Sequence, residues 1–290
     1  MRAAILVGCV LLDLLVFPPD DPASLERQAG DALAAKNYSR CADLYALAIH
    51  AGATGVNAPY NAACCFALTG NRDEAFKYLS IAIQKGWRDV AHLEGDADLA
   101  SLHSDTRWGS IVRDCKAAAE KFRKSITRPE IRDELLKRMD KDQAARNSAE
   151  MNAEKMMKVD QDNTAWMKEV VEKHGWPGKS MVGKDGAFAA WLLVQHADAD
   201  PKFQAFCLEL MKQAQEQDEV RSVDVAYLTD RVLVAQGKKQ LYGTQFITMF
   251  GKMVPRPIED EPNLDARRAK MGLGPFEDYK KIMEGRARGG

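Results

Sequence analysis

The residues best suited to chemistry lie at the end of the most apolar segment of the chain. Gln195 and His196 directly follow Ala187–Val194, which contains eight consecutive apolar residues. A histidine can act as a general acid or base near neutral pH, and a buried one needs a polar partner. Asp230 and Arg231 interrupt a second apolar segment and could supply that partner. The sequence therefore predicts a polar pocket around His196.

Two further segments extend this pocket. A glycine after Tyr242 permits a tight turn, which would present the neighbouring polar side chains. Asp142 and Gln143, followed by Arg146, lie on one turn of a predicted long helix and either reach the pocket or are solvated. The predicted ligand-pocket residues are Gln195, His196, Asp198, Asp230, Arg231, Gln240, Tyr242, Thr244, Gln245, Asp142 and Gln143.

Two interpretations of this cluster stay open. In the functional one, His196 is the acid or base, Asp230 orients it, and Arg231 holds an anionic group. In the structural one, the helix end favours a cationic His196, and Asp230 and Arg231 form an ion pair. The glutamines would then satisfy backbone groups of a neighbouring hairpin.

Motifs for metal or nucleotide chemistry are missing from the sequence. The chain has no GxSxG, HExxH, GxxxxGK(S/T) or GxGxxG motif. This argues against the commonest hydrolases, zinc proteases and nucleotide-binding folds, so we predict neither a metal nor a cofactor. The six cysteines form no CxxC pair and show no Cys/His ligand spacing. Cys41, Cys64 and Cys65 lie in apolar helical patterns and are predicted to be buried free thiols rather than a disulfide framework.

The spacing of apolar residues predicts a mainly α fold with a small β-hairpin. Ala187–Val194 is apolar on all sides, which predicts a buried central helix. Before it, Trp176–Gly178 and Gly183–Gly186 are predicted to bracket a loop. Phe246–Phe250 and Lys252–Val254 flank Gly251, as in a hairpin. The other helices predicted after residue 128 cover Glu130 to about Lys158 (one or two helices), Asn163–His174, Pro201–Gln217, Val223–Val234, Asp265–Met271 and Phe276–Met283. On the Pro201–Gln217 helix, the apolar residues Phe203, Phe206, Leu210 and Met211 are expected to face inward.

An internal repeat with a period of 34 residues occupies the N-terminal third. Small or apolar residues recur at equivalent positions, which indicates closely packed helix pairs. The equivalent pairs are Ala29 and Ala63, Cys41 and Ala75, Tyr45 and Leu79, Ala48 and Ala82, and Ile49 and Ile83. This part resembles tetratricopeptide repeats. The following segment, which carries Trp108, resembles the one that closes short arrays of such repeats in bacteria.

The first 20 residues form an apolar segment that follows Arg2 and ends at Pro18-Pro19. It is too short and too interrupted for a membrane-spanning helix, but it has the charged start and apolar centre of a secretory signal. Leu6–Cys9 also fits the residue pattern of a lipoprotein box. We therefore expect an exported or membrane-anchored protein; the alternative is a cytoplasmic protein with an atypical first helix.

Composition fits a soluble globular chain with two domains. Of its 290 residues, 46% are hydrophobic and 29% are charged, and the formal net charge is -1. This balance makes nucleic acid an unexpected partner. The predicted organisation is an N-terminal segment over residues 1–20, a repeat module over 21–122, and a C-terminal helical domain over 129–285.

Six short motifs follow one another in order through the C-terminal domain. They are Asp142-Gln143, Trp176-Pro177, Gln195-His196-Ala197-Asp198, Tyr227-Leu228-Thr229-Asp230-Arg231, Gln240-Leu241-Tyr242-Gly243-Thr244-Gln245 and Pro257-Ile258-Glu259-Asp260. Together they resemble the bacterial domain-of-unknown-function 6624 family over roughly Pro129–Met283. The resemblance implies no activity, ligand or catalytic residue.

Three hypotheses for the function follow. The leading one joins a module that contacts a protein partner to a domain that binds a small polar ligand. The second is a metal-independent hydrolase or transferase that uses His196. The third is a pure scaffold, in which the helix-repeat face carries all of the activity. Under each hypothesis, a membrane would be contacted only through an N-terminal anchor.

Overall fold

A computed structural model describes residues 21–147 and 152–286 of the chain. The predicted N-terminal segment, with its lipoprotein-like Cys9, lies outside these ranges. The chain divides into two compact units, residues 1–122 and 123–290. Each unit has its own core of buried apolar side chains. The expectation of a mainly α protein with one small hairpin is confirmed.

The first unit begins with two consecutive helix pairs and ends with a closing segment. Asn37 and Asn71, which are equivalent in the repeat, cap the second helix of each pair by accepting hydrogen bonds from the backbone N–H groups of Arg40 and Glu74. The paired helices are α1 (Pro22–Ala34), α2 (Tyr38–His50), α3 (Asn57–Leu68) and α4 (Arg72–Lys85). The closing segment contains α5 (Val90–Gly95), a 3₁₀ helix (Ala97–Leu102) and α6 (Trp108–Ser125), within which the division between the units falls.

Close helix packing in this unit depends on small residues. Ala29, Ala63, Ala48 and Ala82, at equivalent positions of the repeat, are completely buried. The cysteine prediction is wrong for one pair, because Cys41 of α2 and Cys65 of α3 form a disulfide. Their positions on facing helices bring the two sulfur atoms together, which the helical pattern of each segment alone does not reveal. Cys64 is a buried free thiol, as expected.

The second unit builds its core from five longer helices. Its apolar centre includes Leu135, Met167, Leu193, Met211 and Leu228, one from each helix. The helices are α7 (Pro129–Arg146), α8 (Ala153–His174), α9 (Lys179–Gln195), α10 (Pro201–Glu216) and α11 (Ser222–Ala235).

Three local predictions for this unit are wrong. Asn163 does not begin a helix; it is buried in the middle of α8, whose cap is Asn152. The loop predicted between Trp176–Gly178 and Gly183–Gly186 is instead the first part of α9, which begins at Lys179 and is interrupted only at Gly183, where φ is 77°. Phe206 was expected to face inward on α10, but 55% of it is exposed.

The end of the chain contains the hairpin and two short helices. Strands β1 (Phe246–Met249) and β2 (Lys252–Pro255) pair in antiparallel orientation, with Phe246 opposite Pro255. The helices are α12 (Leu264–Lys270) and α13 (Phe276–Arg286). Within residues 21–147 and 152–286, no helix combines the length and the apolar character needed to cross a lipid bilayer.

Candidate functional site

His196 is held by a buried carboxylate from another helix. The residue caps the C-terminus of α9, and its Nδ1 lies 3.0 Å from each carboxylate oxygen of Asp142 on α7. Asp142 is completely buried, whereas 19% of the His196 side chain is exposed. A carboxylate at Nδ1 favours the tautomer that carries its proton there, which leaves the lone pair on Nε2. Among the described residues, Nε2 makes no hydrogen bond.

An arginine bridges Asp142 to a second carboxylate. Nη1 of Arg146 lies 2.8 Å from Asp142, and Nη2 donates a 2.7 Å hydrogen bond to Asp160 of α8. The side-chain amide of Gln143 donates to the other oxygen of Asp142 at 2.8 Å. Burial by itself raises the pKa of Asp142, but the hydrogen bonds from His196 and Gln143 and the charges of His196 and Arg146 outweigh burial and lower it. Asp142 is therefore an ionised anchor for the imidazole.

The same residues also bring metal-type ligand atoms close together. The ligand atoms of Asp142, Asp160 and His196 lie within 4.8 Å of one another. The guanidinium of Arg146 already contacts both carboxylates, so a metal ion would have to displace a positive charge from them. Burial raises the pKa of Asp160, and Arg146 only partly offsets this. The arrangement fits an arginine-bridged carboxylate pair better than a metal centre.

A second group with metal-type ligands lies in the first unit and consists of Cys64, Asp96 and Asp98. Asp96 already accepts a 2.8 Å hydrogen bond from the Tyr60 hydroxyl and a 3.0 Å bond from the backbone N–H of Asp98. Burial raises the pKa of Cys64 and so disfavours its thiolate. These contacts give Asp96 a structural role as the cap of the 3₁₀ helix.

Asp230 does not orient His196. Its buried carboxylate accepts hydrogen bonds from the backbone N–H groups of Leu241, Tyr242 and Thr244, and a further bond from the Thr244 hydroxyl. Desolvation by burial raises the pKa of Asp230, and these bonds partly offset that rise. Asp230 thus fixes the turn at residues 241–244, and the carboxylate that holds His196 is Asp142.

Arg231 also has a partner other than the one expected. Its Nη1 contacts both carboxylate oxygens of Asp198, at 2.6 and 2.7 Å. The side-chain amide of Gln204 donates to Asp198 and to the carbonyl oxygens of Val194 and Gln195. The predicted Asp230–Arg231 ion pair is therefore replaced by Asp198–Arg231, which ties α11 to the segment after His196.

Two glutamines of the predicted pocket, Gln240 and Gln245, hydrogen-bond groups in or next to the hairpin. The side-chain amide of Gln240 donates to the carbonyl oxygens of Gln245 and Arg256, and its oxygen accepts from the backbone N–H of Gln245. The side chain of Gln245 donates to the Thr244 hydroxyl. Gln195 differs, because its Oε1 is buried and has no partner among the described residues.

A cavity of about 360 Å³ opens at a different place in the second unit. Ile258, Leu264 and Phe276 form part of its apolar lining, and Glu261 and Glu277 are among its polar residues. None of the predicted pocket residues lines it. This cavity is therefore separate from the polar cluster around His196 and Asp142, where we place the candidate site.

Residues 129–289 match a protein family described as "Family of unknown function (DUF6624)". The chain belongs to this family. The resemblance seen in the C-terminal motifs is thereby confirmed. No curated protein and no solved structure matches the chain.

Within this DUF6624 domain, the sequence predicts Asp142, Gln143 and His196 as pocket residues. It places Arg146 beside them on one helical turn without including it in the pocket, and it does not predict Asp160. Arg146 lies four residues after Asp142, so both side chains share one face of α7, and that spacing is a signal for the pair. Asp160 carries no comparable signal, because its contact with Arg146 joins two different helices.

Proposed function

We propose that the DUF6624 domain binds a small polar ligand through Nε2 of His196. The observation that carries this proposal is the hydrogen bond between Nδ1 and the buried Asp142, made by an imidazole that stays partly exposed. A donor on the ligand, such as a hydroxyl or an amine, would face a fixed lone pair on Nε2. Because Asp142 and Arg146 hold the ring before the ligand arrives, little side-chain entropy is lost on binding.

The same pair supports a second candidate, a metal-independent hydrolase or transferase. A carboxylate that orients Nδ1 and stabilises the imidazolium is the arrangement in which histidine takes a proton from a hydroxyl or from water. In this alternative His196 is the general base, Asp142 its positioning residue and Arg146 the support of Asp142. Ligand binding stays the preferred function, since among the described residues no serine, threonine or cysteine hydrogen-bonds His196, which leaves a hydrolase only water as its nucleophile.

For the first unit, we propose a tetratricopeptide-type module that contacts a protein partner. Its support is the 34-residue equivalence of Asn37 and Asn71 as helix caps and of Ala48 and Ala82 as buried contacts. Leu47 on α2 is 53% exposed and is available to such a partner. A pure scaffold would be supported if residues 21–125 alone retained all binding.

We also propose that the protein is exported or anchored at a membrane. The apolar segment after Arg2 has the pattern of a secretory signal. The Cys41–Cys65 disulfide adds independent support, because disulfides persist mainly in oxidising compartments. A fusion of residues 1–40 to a reporter that is active only after export tests this proposal, and retention in the cytoplasm would contradict it.

The ligand proposal is tested with His196→Gln, and His174→Gln is its matched control. His174 is exposed at the end of α8, away from any role in the site. Small polar compounds that raise the melting temperature of the wild type should fail to do so in His196→Gln and should still act on His174→Gln. Turnover that disappears only in His196→Gln would favour the enzyme. Equal ligand responses in both variants would refute a site at His196.

A purely structural role for His196 has a different signature. It predicts that His196→Gln lowers the free energy of unfolding by about 1 to 3 kcal/mol, the cost of leaving Asp142 with an unmade hydrogen bond. It also predicts that no compound distinguishes the two variants. Urea unfolding of both proteins, measured beside the ligand screen, separates the roles.

A further inference from the structure

Arg268 is a buried cation without a counter-anion among the described residues. Only 2% of this α12 residue is exposed. Its Nε donates to the carbonyl oxygen of Gly274 at 2.7 Å, and its Nη1 donates to that of Tyr242 at 2.6 Å. Nη2 donates no hydrogen bond to a described residue, and no carboxylate of those residues lies within ion-pair distance. A buried charge in this state is costly unless something compensates it.

The neighbouring Arg267 shows how the chain compensates a similar group. Its Nε donates to the carbonyl oxygen of Leu241, one residue before the acceptor of Arg268. Its Nη1, however, also contacts the carboxylate of Asp260 at 3.1 Å. The two arginines therefore anchor the same turn, but only the more exposed one has a carboxylate partner.

The acidic groups nearest to Arg268 are engaged elsewhere. The carboxylate of Asp265 accepts the backbone N–H of Phe276, and Asp230 accepts the N–H groups of the 241–244 turn. The guanidinium carbon of Arg268 also lies 5.3 Å from the ring centre of Tyr279 and 5.7 Å from that of Phe276. Burial lowers the pKa of Arg268, but a guanidinium stays protonated at physiological pH.

We propose that Arg268 is the anchor of an oxyanion-binding site formed by α12, α13 and the 242–244 turn. The free Nη2 would donate to a phosphate or carboxylate group of a small ligand. The ring faces of Tyr279 and Phe276 would exclude water and strengthen that contact. This site is distinct from His196 and does not depend on the function proposed for it.

The direct test adds inorganic phosphate or acetate to the full chain at constant ionic strength. We expect a saturable rise in melting temperature of roughly 3 to 6 °C at a tenfold excess over the dissociation constant. A response to phosphate alone assigns a phosphorylated ligand, and a response to acetate alone assigns a carboxylate ligand. No saturable response to either ion would overturn the proposal.

Matched variants locate the response. Lys270→Gln, which removes an exposed cation of the same helix, and His196→Gln should keep the full shift in melting temperature, whereas Arg268→Met should lose it. If Arg268→Met does not fold, Arg268→Lys retains the charge but loses the fork geometry, and its phosphate affinity should fall at least about tenfold. An undiminished response in the Arg268 variants would place the ion elsewhere and reject the site.

A measurement on the wild type does not depend on the folding of any variant. In amide NMR spectra, phosphate should shift the resonances of residues 242–244, 268 and 274–279. The resonances of residues 142 and 196 should stay in place, which separates this site from the one at His196. Shifts that cluster outside the Arg268 region would count against the proposal as firmly as the absence of any shift.

Discussion

Asp142 and Asp230 are both completely buried, yet their pKa values move in opposite directions. Burial raises the pKa of each carboxylate because it penalises the charged form. Around Asp142 this effect is outweighed by His196, Gln143 and Arg146, two of which can carry positive charge. Around Asp230 the partners are neutral N–H groups and one hydroxyl, which offset the penalty only in part. The first carboxylate is thus suited to orienting a titratable ring, and the second to fixing a turn.

The lowered pKa of Asp142 predicts a pH-dependent effect of Asp142→Asn. A carboxylate with a depressed pKa in the folded state stabilises the fold above its unfolded pKa of about 3.9, and that stabilisation is lost as pH falls through the folded value. We expect the variant to lose about 3 to 5 kcal/mol of unfolding free energy near pH 7, because Arg146 and His196 lose their charged partner. Below about pH 4 the difference should shrink. Urea unfolding at pH 7 and pH 3 measures it, and a pH-independent difference would contradict the assignment.

At the level of single residues, the sequence holds a signal for Asp142 that its short motifs do not show. Asp142 lies seven residues after Leu135 and eleven after Ile131, so it falls on the apolar stripe of α7. A charged residue on such a stripe is buried and needs partners, and this could have selected Asp142 over Asp230 as the partner of His196. The sequence gives no such signal for the Asp198–Arg231 ion pair. Whether these two side chains meet depends on how α9 and α11 pack.

The turn at residues 241–244 depends on a glycine for two reasons. Gly243 has a φ of 67°, and a Cβ added to it would lie 2.7 Å from Cε2 of Phe276. Gly237 has a similar φ of 71°, but a Cβ there would meet nothing within 4 Å. Comparing alanine substitutions at Gly237 and Gly243 therefore separates two contributions to the free energy of unfolding, that of the left-handed backbone and that of the steric clash.

We expect Gly237→Ala to lower the free energy of unfolding by about 1 kcal/mol and Gly243→Ala to lower it by about 3 to 4 kcal/mol. Shortening Phe276 to leucine in the Gly243→Ala background should recover part of the larger loss. Chemical denaturation of the four proteins, wild type included, measures these values. Equal losses for the two glycines would mean that α13 moves away from the turn at little cost.

A disulfide joins helices of the two repeats, and it makes the first unit sensitive to reductant. Cys41 and Cys65 are separated by 24 residues, and closing a loop of this size stabilises a fold by roughly 3 kcal/mol. Reductant should lower the stability of the wild type by about this amount and should leave the Cys41→Ala/Cys65→Ala variant unchanged. Cys64→Ala, which removes the adjacent free thiol, should keep the sensitivity. A wild type that is insensitive to reductant would indicate that the two cysteines are reduced.

Element types were predictable from the sequence, whereas several boundaries and the cysteine pairing were not. The hairpin around Gly251 and the helix from Pro201 follow from local turn and cap residues. The start of α8 was misplaced because Asn163, a good capping residue, is instead buried within the helix. Its burial is a tertiary effect that local spacing does not encode.

At the scale of the whole molecule, the described residues form two apolar cores that have no residue in common. One contains the buried residues of the helix pairs and the closing segment, and the other contains those of α7 to α11. The family match covers the second core and not the first. The DUF6624 domain therefore contains both the His196 site and the Arg268 site, and the repeat module is a separate structural unit.

Because the two cores share no residue, we expect a destabilising core substitution to lower the stability of only the unit that contains it. Leu79 of α4 and Leu228 of α11 are both fully buried, one in each core. Leu→Ala at such positions costs about 2 to 5 kcal/mol through lost burial and the cavity left behind. Hydrogen exchange should therefore show lost protection only within residues 21–122 for Leu79→Ala and only within residues 123–286 for Leu228→Ala. If either substitution lowered protection equally in both ranges, the two units would unfold together. That result would contradict the proposal that they are independent units with separate functions.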